Sequence, residues 1–429
     1  MSGGAARRWL ERAPAPLFAA YAIAASFTAY FCMYGVRKPF TAGAWAGQLA
    51  LGSLPPVDLK IAFIVAQVLG YCLSKFLGIK VISEMSGRRR GLAILALIGA
   101  AELALVGFAL TPAPWSALWL FLNGLPLGMV WGLVFGFLEG RRLSEALGAG
   151  LSASYIVASG FVKTAGRWML AAGAPEAWMP ALTGLCFLPP LALAVWALQQ
   201  LPPPSAEDER LRTRRAPMDG ATRLVFFRAY APGLLLLTGL YVLLTAFRDF
   251  RDNFGPELWD ALGYAETPTI LTAAELPIAA GVLLSLAAVM RVRDNRRALL
   301  LIHVMMAGGA LLIVASTALW QLGVLGPVAW MIAVGLGLYI GYVPYGCVLF
   351  DRLIAAVGFI ATAGFMIYVT DAFGYLGSVA LLLYKSFGQP SLSWLDFFVG
   401  ACYGVGGVAF ACFVGALLYF SRRTAAGSP

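Results

Sequence analysis

Apolar runs of about 20 residues, the length that carries a helix across roughly 30 Å of hydrocarbon, recur from one end of the chain to the other. Short turns rich in glycine, proline and charge separate them. The pattern predicts about twelve membrane-spanning helices. Six are expected over 17–37, 59–80, 92–110, 118–138, 147–170 and 180–198, and six more over 232–250, 270–290, 298–320, 328–349, 354–384 and 395–420. Between the sets, Pro202-Pro203-Pro204 is followed by Glu207, Asp208, Glu209 and four arginines with no apolar period, which predicts a soluble cytoplasmic linker. The expectation is an all-α polytopic membrane protein: an N-terminal six-helix bundle (1–200), the linker (201–228) and a pseudo-symmetric C-terminal bundle (229–429).

Composition fixes the class. Of 429 residues 60% are hydrophobic and only 12% charged, with a mean hydropathy of +0.80, which no water-soluble globule of this size shows. The net charge of +10 would suit a nucleic-acid binder if it were spread over a surface, but most basic residues fall at the N-terminus, in alternate turns, in the linker and in the tail at Arg422 and Arg423. The opposite turns carry Asp58, Glu176, Glu257, Asp260, Glu266 and Asp396. By the positive-inside rule this is topology: both termini are expected in the cytoplasm, in the cell (inner) membrane, among lipids and without a nucleic-acid partner. Arg7, Arg8 and Arg12 precede an apolar run too long for a signal peptide and without a cleavage site, so the first span is expected to remain.

Enzyme chemistry finds little support. The six cysteines lie within spans without a C-x-x-C pair and read as packing residues. The one histidine, His303, reads as interfacial packing, so no metal centre or cofactor is expected. No nucleophile–base pair appears, and no phosphate-cradling loop for ATP, so any transport would draw on a gradient. Gly132, Gly136 and Gly140, and Gly335, Gly337 and Gly341, are expected at close helix contacts, and Pro344 at a kink.

The informative residues are the charges inside the spans, because an ionised group near the bilayer centre costs about 3 kcal/mol or more and is usually retained for a ligand or a fixed partner. Arg37 and Lys38 end the first span; Arg248, Asp249, Arg251 and Asp252 end the seventh. Guanidinium suits an anion because its planar fork matches carboxylate or phosphate oxygens and cannot lose its proton. Helical spacing gives polar stripes at Tyr30, Tyr34, Arg37 and Thr41, at Tyr155, Ser159, Lys163 and Arg167, and at Tyr368, Asp371 and Tyr375. Lys75, Glu102 and Glu275 are further intramembrane charges, the carboxylates being candidate proton relays or lysine partners. Residues 248 and 252 are four apart, so Arg248 and Asp252 are expected on one face and able to pair. Snorkelling of Arg37 and Lys38 to the interface is the competing reading.

The basic turns at 79–90 and 290–297, six spans apart, suggest duplication, and repeat-built carriers bind ligand between their halves. The layout resembles the major facilitator superfamily. Tyr34-Gly35-Val36-Arg37-Lys38-Pro39-Phe40, Asp58-Leu59 with Gly70-Tyr71-Cys72-Leu73-Ser74-Lys75-Phe76-Leu77-Gly78, and Phe373-Gly374-Tyr375-Leu376-Gly377-Ser378-Val379 are most similar to spans one, two and eleven of the organophosphate:inorganic phosphate antiporters. The resemblance implies a small anionic substrate clasped by Arg37 and Arg248, the latter placed by Pro256, with Lys38 and Lys75 adding positive field. It departs from that family at Ser154–Gly160, where a histidine is missing, and in the acidic Asp249 and Asp252. The expected substrate-binding set is Tyr34, Arg37, Lys38, Lys75, Tyr155, Lys163 and Arg248; the charge-pairing or coupling set is Asp249, Asp252, Asp371, Glu275 and Glu102. Three functions stay open: an antiporter exchanging a phosphorylated metabolite for phosphate, a proton-coupled symporter of an organic anion or zwitterion, and a transporter-like receptor. A monomer is expected.

Overall fold

The computed structural model describes residues 5–51, 54–84, 87–141, 143–205, 208, 220–358, 363–389 and 391–425. The apolar runs form helices: α1 (Ala5–Arg12), α2 (Ala15–Arg37), α3 (Leu59–Glu84), α4 (Gly87–Leu110), α5 (Ser116–Leu127), α6 (Val130–Phe135), α7 (Ser144–Ala171) and α8 (Met179–Gln199). The second set is α9 (Gly220–Asn253), α10 (Gly255–Ala261), α11 (Ile270–Ala273), α12 (Glu275–Met290), α13 (Asn295–Gln321), α14 (Pro327–Cys347), α15 (Leu349–Val357), α16 (Ala363–Leu383) and α17 (Trp394–Ala425). Among the described residues 11 helical stretches are long and apolar enough to cross a membrane, and the 21-residue α16 stands at the place of the expected eleventh span. This is a multi-pass all-α membrane protein of two six-helix bundles.

Local chemistry sets the ends. Pro16 and Pro327 start α2 and α14, where the missing N–H would have had no partner. Gly173 and Gly323 stop α7 and α13 at φ 91° and 74°, and the following residues donate back to Met169 and Leu319 carbonyls, a left-handed cap that glycine enters without steric cost. Helices approach backbone to backbone at Gly70 and Gly124 of the α3–α5 pair, where a Cβ would fall 2.1 Å from the Phe121 carbonyl and 2.2 Å from that of Gln67.

Four expectations change. Gly337 does pack on the Gly309 carbonyl, but the close glycine of the fourth span is Gly124; Gly136 meets the Arg90 side chain and Gly140 sits in a turn at φ 82°. Pro344 lies within α14, and the break comes at Val348. Most of the expected linker is outside the described residues, and its end is helical from Gly220. A hairpin, β1 (Gln48–Leu51) against β2 (Leu54–Asp58), with Gln48 opposite Asp58, joins α2 to α3. The start of α2, the start of α9 and the end of α17 share one end of the molecule, here the terminal end; the hairpin lies at the opposite, far end.

Candidate functional site

Arg37 is the last residue of α2, where the final carbonyls of a helix lack intrahelical donors. Two buried amides supply them. Gln67 donates to the Arg37 carbonyl at 2.8 Å and to Asn123 Oδ1 at 2.7 Å, and Asn123 donates to Val36 and Ala101 carbonyls at 3.1 and 2.9 Å. The relay fixes the turn that carries the cation. Arg37 and Lys38 are each only 2% exposed, so neither snorkels to the interface. The Arg37 guanidinium lies on the Tyr71 ring, 3.8 Å from its centroid, and 5.7 and 5.8 Å from the Tyr34 and Tyr375 rings. Among the described residues no carboxylate forms an ion pair with it, and its Nε has no acceptor.

Arg248 approaches from α9 and shares the same aromatic: its guanidinium carbon is also 5.8 Å from the Tyr375 ring, and 4.4 Å from that of Tyr342. The two arginines thus face one tyrosine from opposite bundles. Arg248 does not pair with Asp252. It pairs with Asp249 at 2.8 Å, whose other oxygen accepts from Ser378 at 2.8 Å, while Asp252 is drawn across to the first bundle. There it meets Lys38 at 2.6 Å, Lys163 at 2.9 Å and the Ser159 hydroxyl. Helical spacing put 248 and 252 on one face; tertiary partners of opposite charge decided otherwise.

Between the bundles lies a cavity of about 40 Å³ lined by Tyr34, Lys75, Tyr155, Arg248, Asp371, Tyr375 and further tyrosines. Lys75 holds Asp371 at 2.7 Å, and Tyr241 donates to the same carboxylate at 3.0 Å. Toward the far end Arg251 meets Glu275 at 2.8 Å.

In this cluster six of the eight cations buried among the described residues (Arg37, Lys38, Lys75, Lys163, Arg248, Arg251) face four carboxylates (Asp249, Asp252, Asp371, Glu275). Lys75, Arg248 and Arg251 each hold one of these carboxylates, Asp252 is shared by two lysines, and Arg37 forms an ion pair with none of the four. The surplus is two positive charges in a low-dielectric interior, where charge is worth several times its value in water.

Contacts between the bundles flank the cavity on both sides. At the far end Lys60 pairs with Glu257, Arg167 with Asp260 at 2.7 Å, Lys38 donates to Asn253 at 2.7 Å, and the Thr164 and Thr272 hydroxyls meet at 2.8 Å. Toward the terminal end Arg352 pairs with Glu145 at 3.0 Å and Cys72 Sγ donates to the Ala372 carbonyl at 3.6 Å. Gly160 is the closest far-end approach: a Cβ there would stand 2.0 Å from the Leu271 carbonyl. Gly160→Val is therefore expected to wedge the far end open, read as an increase of at least ~10-fold in the labelling rate of Thr272→Cys by a membrane-impermeant thiol reagent. Unchanged labelling would show that the approach is incidental.

Residues 39–423 match the model of a family described as a family of unknown function, DUF5690. The chain belongs to that family. A comparison with curated proteins finds no match. Among solved structures, the crystal structure of a D-xylose–proton symporter is similar to this chain with a TM-score of 0.61 at 13% identity, over 96% of this chain and 99% of that one. At that identity the likeness speaks for the fold alone, and the fold is that of the major facilitators.

Two residues of this DUF5690 member stand apart from the charge cluster. Glu102 of α4 packs its carboxyl against Gly184 of α8, and among the described residues neither oxygen has a hydrogen-bond partner, so it does not pair with the lysines. Burying such a group costs free energy unless it is neutral or bonded. Glu102→Met is accordingly expected to raise the melting temperature by about 2–4 °C in a thermal unfolding scan; a fall would reveal a partner that the carboxyl needs. His303 packs fully buried in the second bundle, Nδ1 2.8 Å from the Leu299 carbonyl and the ring against Phe420. Tyr368, from the third stripe, has a side chain outside the described set. What sequence reading did not find is the Gln67–Asn123 relay and the convergence of Tyr71, Tyr241 and Tyr342, which come from separate helices without a common local pattern.

Proposed function

We propose that this chain is a secondary transporter that moves a small organic dianion, such as a phosphorylated metabolite in exchange for phosphate, by alternating access across the cell membrane with its termini in the cytoplasm. The observation that carries this reading is the surplus of two buried cations centred on Arg37. In the empty state, cations facing one another across a narrowing cavity repel; a bound dianion cancels the repulsion and lets the bundles rock. Arg37 and Arg248 flank Tyr375 from the two bundles, so an anion held by both bridges the moving parts. Asp252 is a tethered anion in the Lys38–Lys163 cradle, and its release on opening hands those lysines to an arriving substrate. Exchange follows, because return without an anion leaves the charge uncancelled.

Equilibrium binding to the purified chain tests the anion. Labelled inorganic phosphate is expected to bind saturably, to be displaced by other dianions and to be indifferent to excess D-xylose. Displacement by the neutral sugar, or a folded protein that binds no anion, would overturn the proposal.

A further inference from the structure

Tyrosine supplies half of the residues that line the cavity between the bundles. Among the described residues seven tyrosines line it, drawn from α2, α3, α7, α9, α14 and α16, with Trp131 beside them. Four of their hydroxyls are turned on one another: Tyr342 donates to Tyr241 at 2.9 Å, leaving the Tyr241 proton for Asp371, and the Tyr30 and Tyr71 oxygens lie 3.5 Å apart, while Tyr375 accepts from Arg248 at 3.3 Å. Asp371 is committed to Lys75 and Tyr241. Among the described lining residues there is no asparagine, glutamine or histidine, and one serine.

A polyhydroxyl body needs a set of oriented donors and acceptors that discriminate one hydroxyl from the next, and this wall offers few that are free. It offers ring faces and edges instead. Tyr71 and Tyr375 pack with centroids 4.7 Å apart, Tyr241 and Tyr342 at 5.0 Å, whereas Tyr155 stands off at 6.5 Å from Tyr30 and 6.2 Å from Tyr342, edge to face with both. Tyr155 therefore has the loosest ring contacts of the wall, and it stands between the bundles. The present space admits about a water or two, so a larger body enters by parting these contacts.

Resting on the anion-transporter reading, we propose that the substrate is a flat aromatic dianion, an aryl phosphate or an aryl dicarboxylate. Its charge meets Arg37 and Arg248, and its ring enters beside Tyr155 and stacks within the tyrosine wall. Aromatic pairs add affinity beyond the area they bury, and the rings here are held by six helices before the ligand arrives.

The test is displacement of labelled inorganic phosphate from the purified full-length chain by phenyl phosphate, phthalate, glycerol phosphate and glucose phosphate. Phenyl phosphate or phthalate is expected to compete at ~10-fold lower concentration than either polyol phosphate, and whichever of the two aromatics is tighter assigns the anionic group. In Tyr155→Leu that preference is expected to shrink to about 2-fold or less. Equal competition, or tighter binding of a polyol phosphate, would overturn the aromatic assignment and leave the anion transporter standing. Absence of any phosphate binding would remove both.

Discussion

Thr164→Cys combined with Thr272→Cys is expected to stop transport completely once oxidised, and reduction is expected to restore it. The two hydroxyls meet at 2.8 Å across the bundles, one on α7 and one on α11, so sulfur atoms placed there fall within reach of a disulfide if the Cα atoms lie in the usual range of about 4.4–6.8 Å. Neither threonine is itself a proposed ligand contact. Loss of flux would therefore come from holding the far end shut. Each single replacement, lacking a partner thiol, should transport under oxidising conditions and so controls for the native cysteines. Full flux through the cross-linked protein would show that the bundles need not part at this end. Gly160→Val perturbs the same contact in the opposite sense, and the pair brackets the motion.

Arg37→Ala is expected to weaken phosphate binding at least ~100-fold, measured by equilibrium binding of the labelled anion. A bidentate guanidinium contributes two charge-assisted bonds of roughly 1.5–3 kcal/mol each, and about 1.4 kcal/mol is a factor of ten. Arg37 is the cleanest place for this test. It pairs with no carboxylate among the described residues, so its removal strands no opposite charge, and the melting temperature should change little. Arg248→Ala would instead leave Asp249 buried with Ser378 alone, and loss of binding there would be mixed with loss of stability. Arg37→Lys should recover part of the affinity, since an ammonium keeps the charge but not the planar fork. Wild-type binding by Arg37→Ala would remove the charge surplus as the basis of recognition.

The fold was legible because a membrane imposes a single length and polarity on each element, and the helices fall close to where the apolar runs place them. The hairpin at 48–58 escaped because Pro55 and Pro56 argue against a strand and only a two-stranded ribbon at the rim tolerates them. Charge partners were less legible than charges. Arg37 and Arg248 stand out in any reading of the spans, but that Arg248 takes Asp249 and that Asp252 crosses to Lys38 and Lys163 depends on how α9 sits against α2 and α7. A helix fixes which residues share a face and says nothing of the neighbour opposite. The amide relay of Gln67 and Asn123 is hidden for the same reason: its purpose, to satisfy the end of α2, exists only after packing.

The charge surplus becomes a transport claim only if anion crosses the membrane. Labelled phosphate uptake into proteoliposomes loaded with unlabelled phosphate, against empty ones, measures that directly. Saturable uptake that depends on internal phosphate is the predicted result; saturable binding by the folded protein with no counterflow would contradict it and make the chain an anion receptor built on a carrier fold.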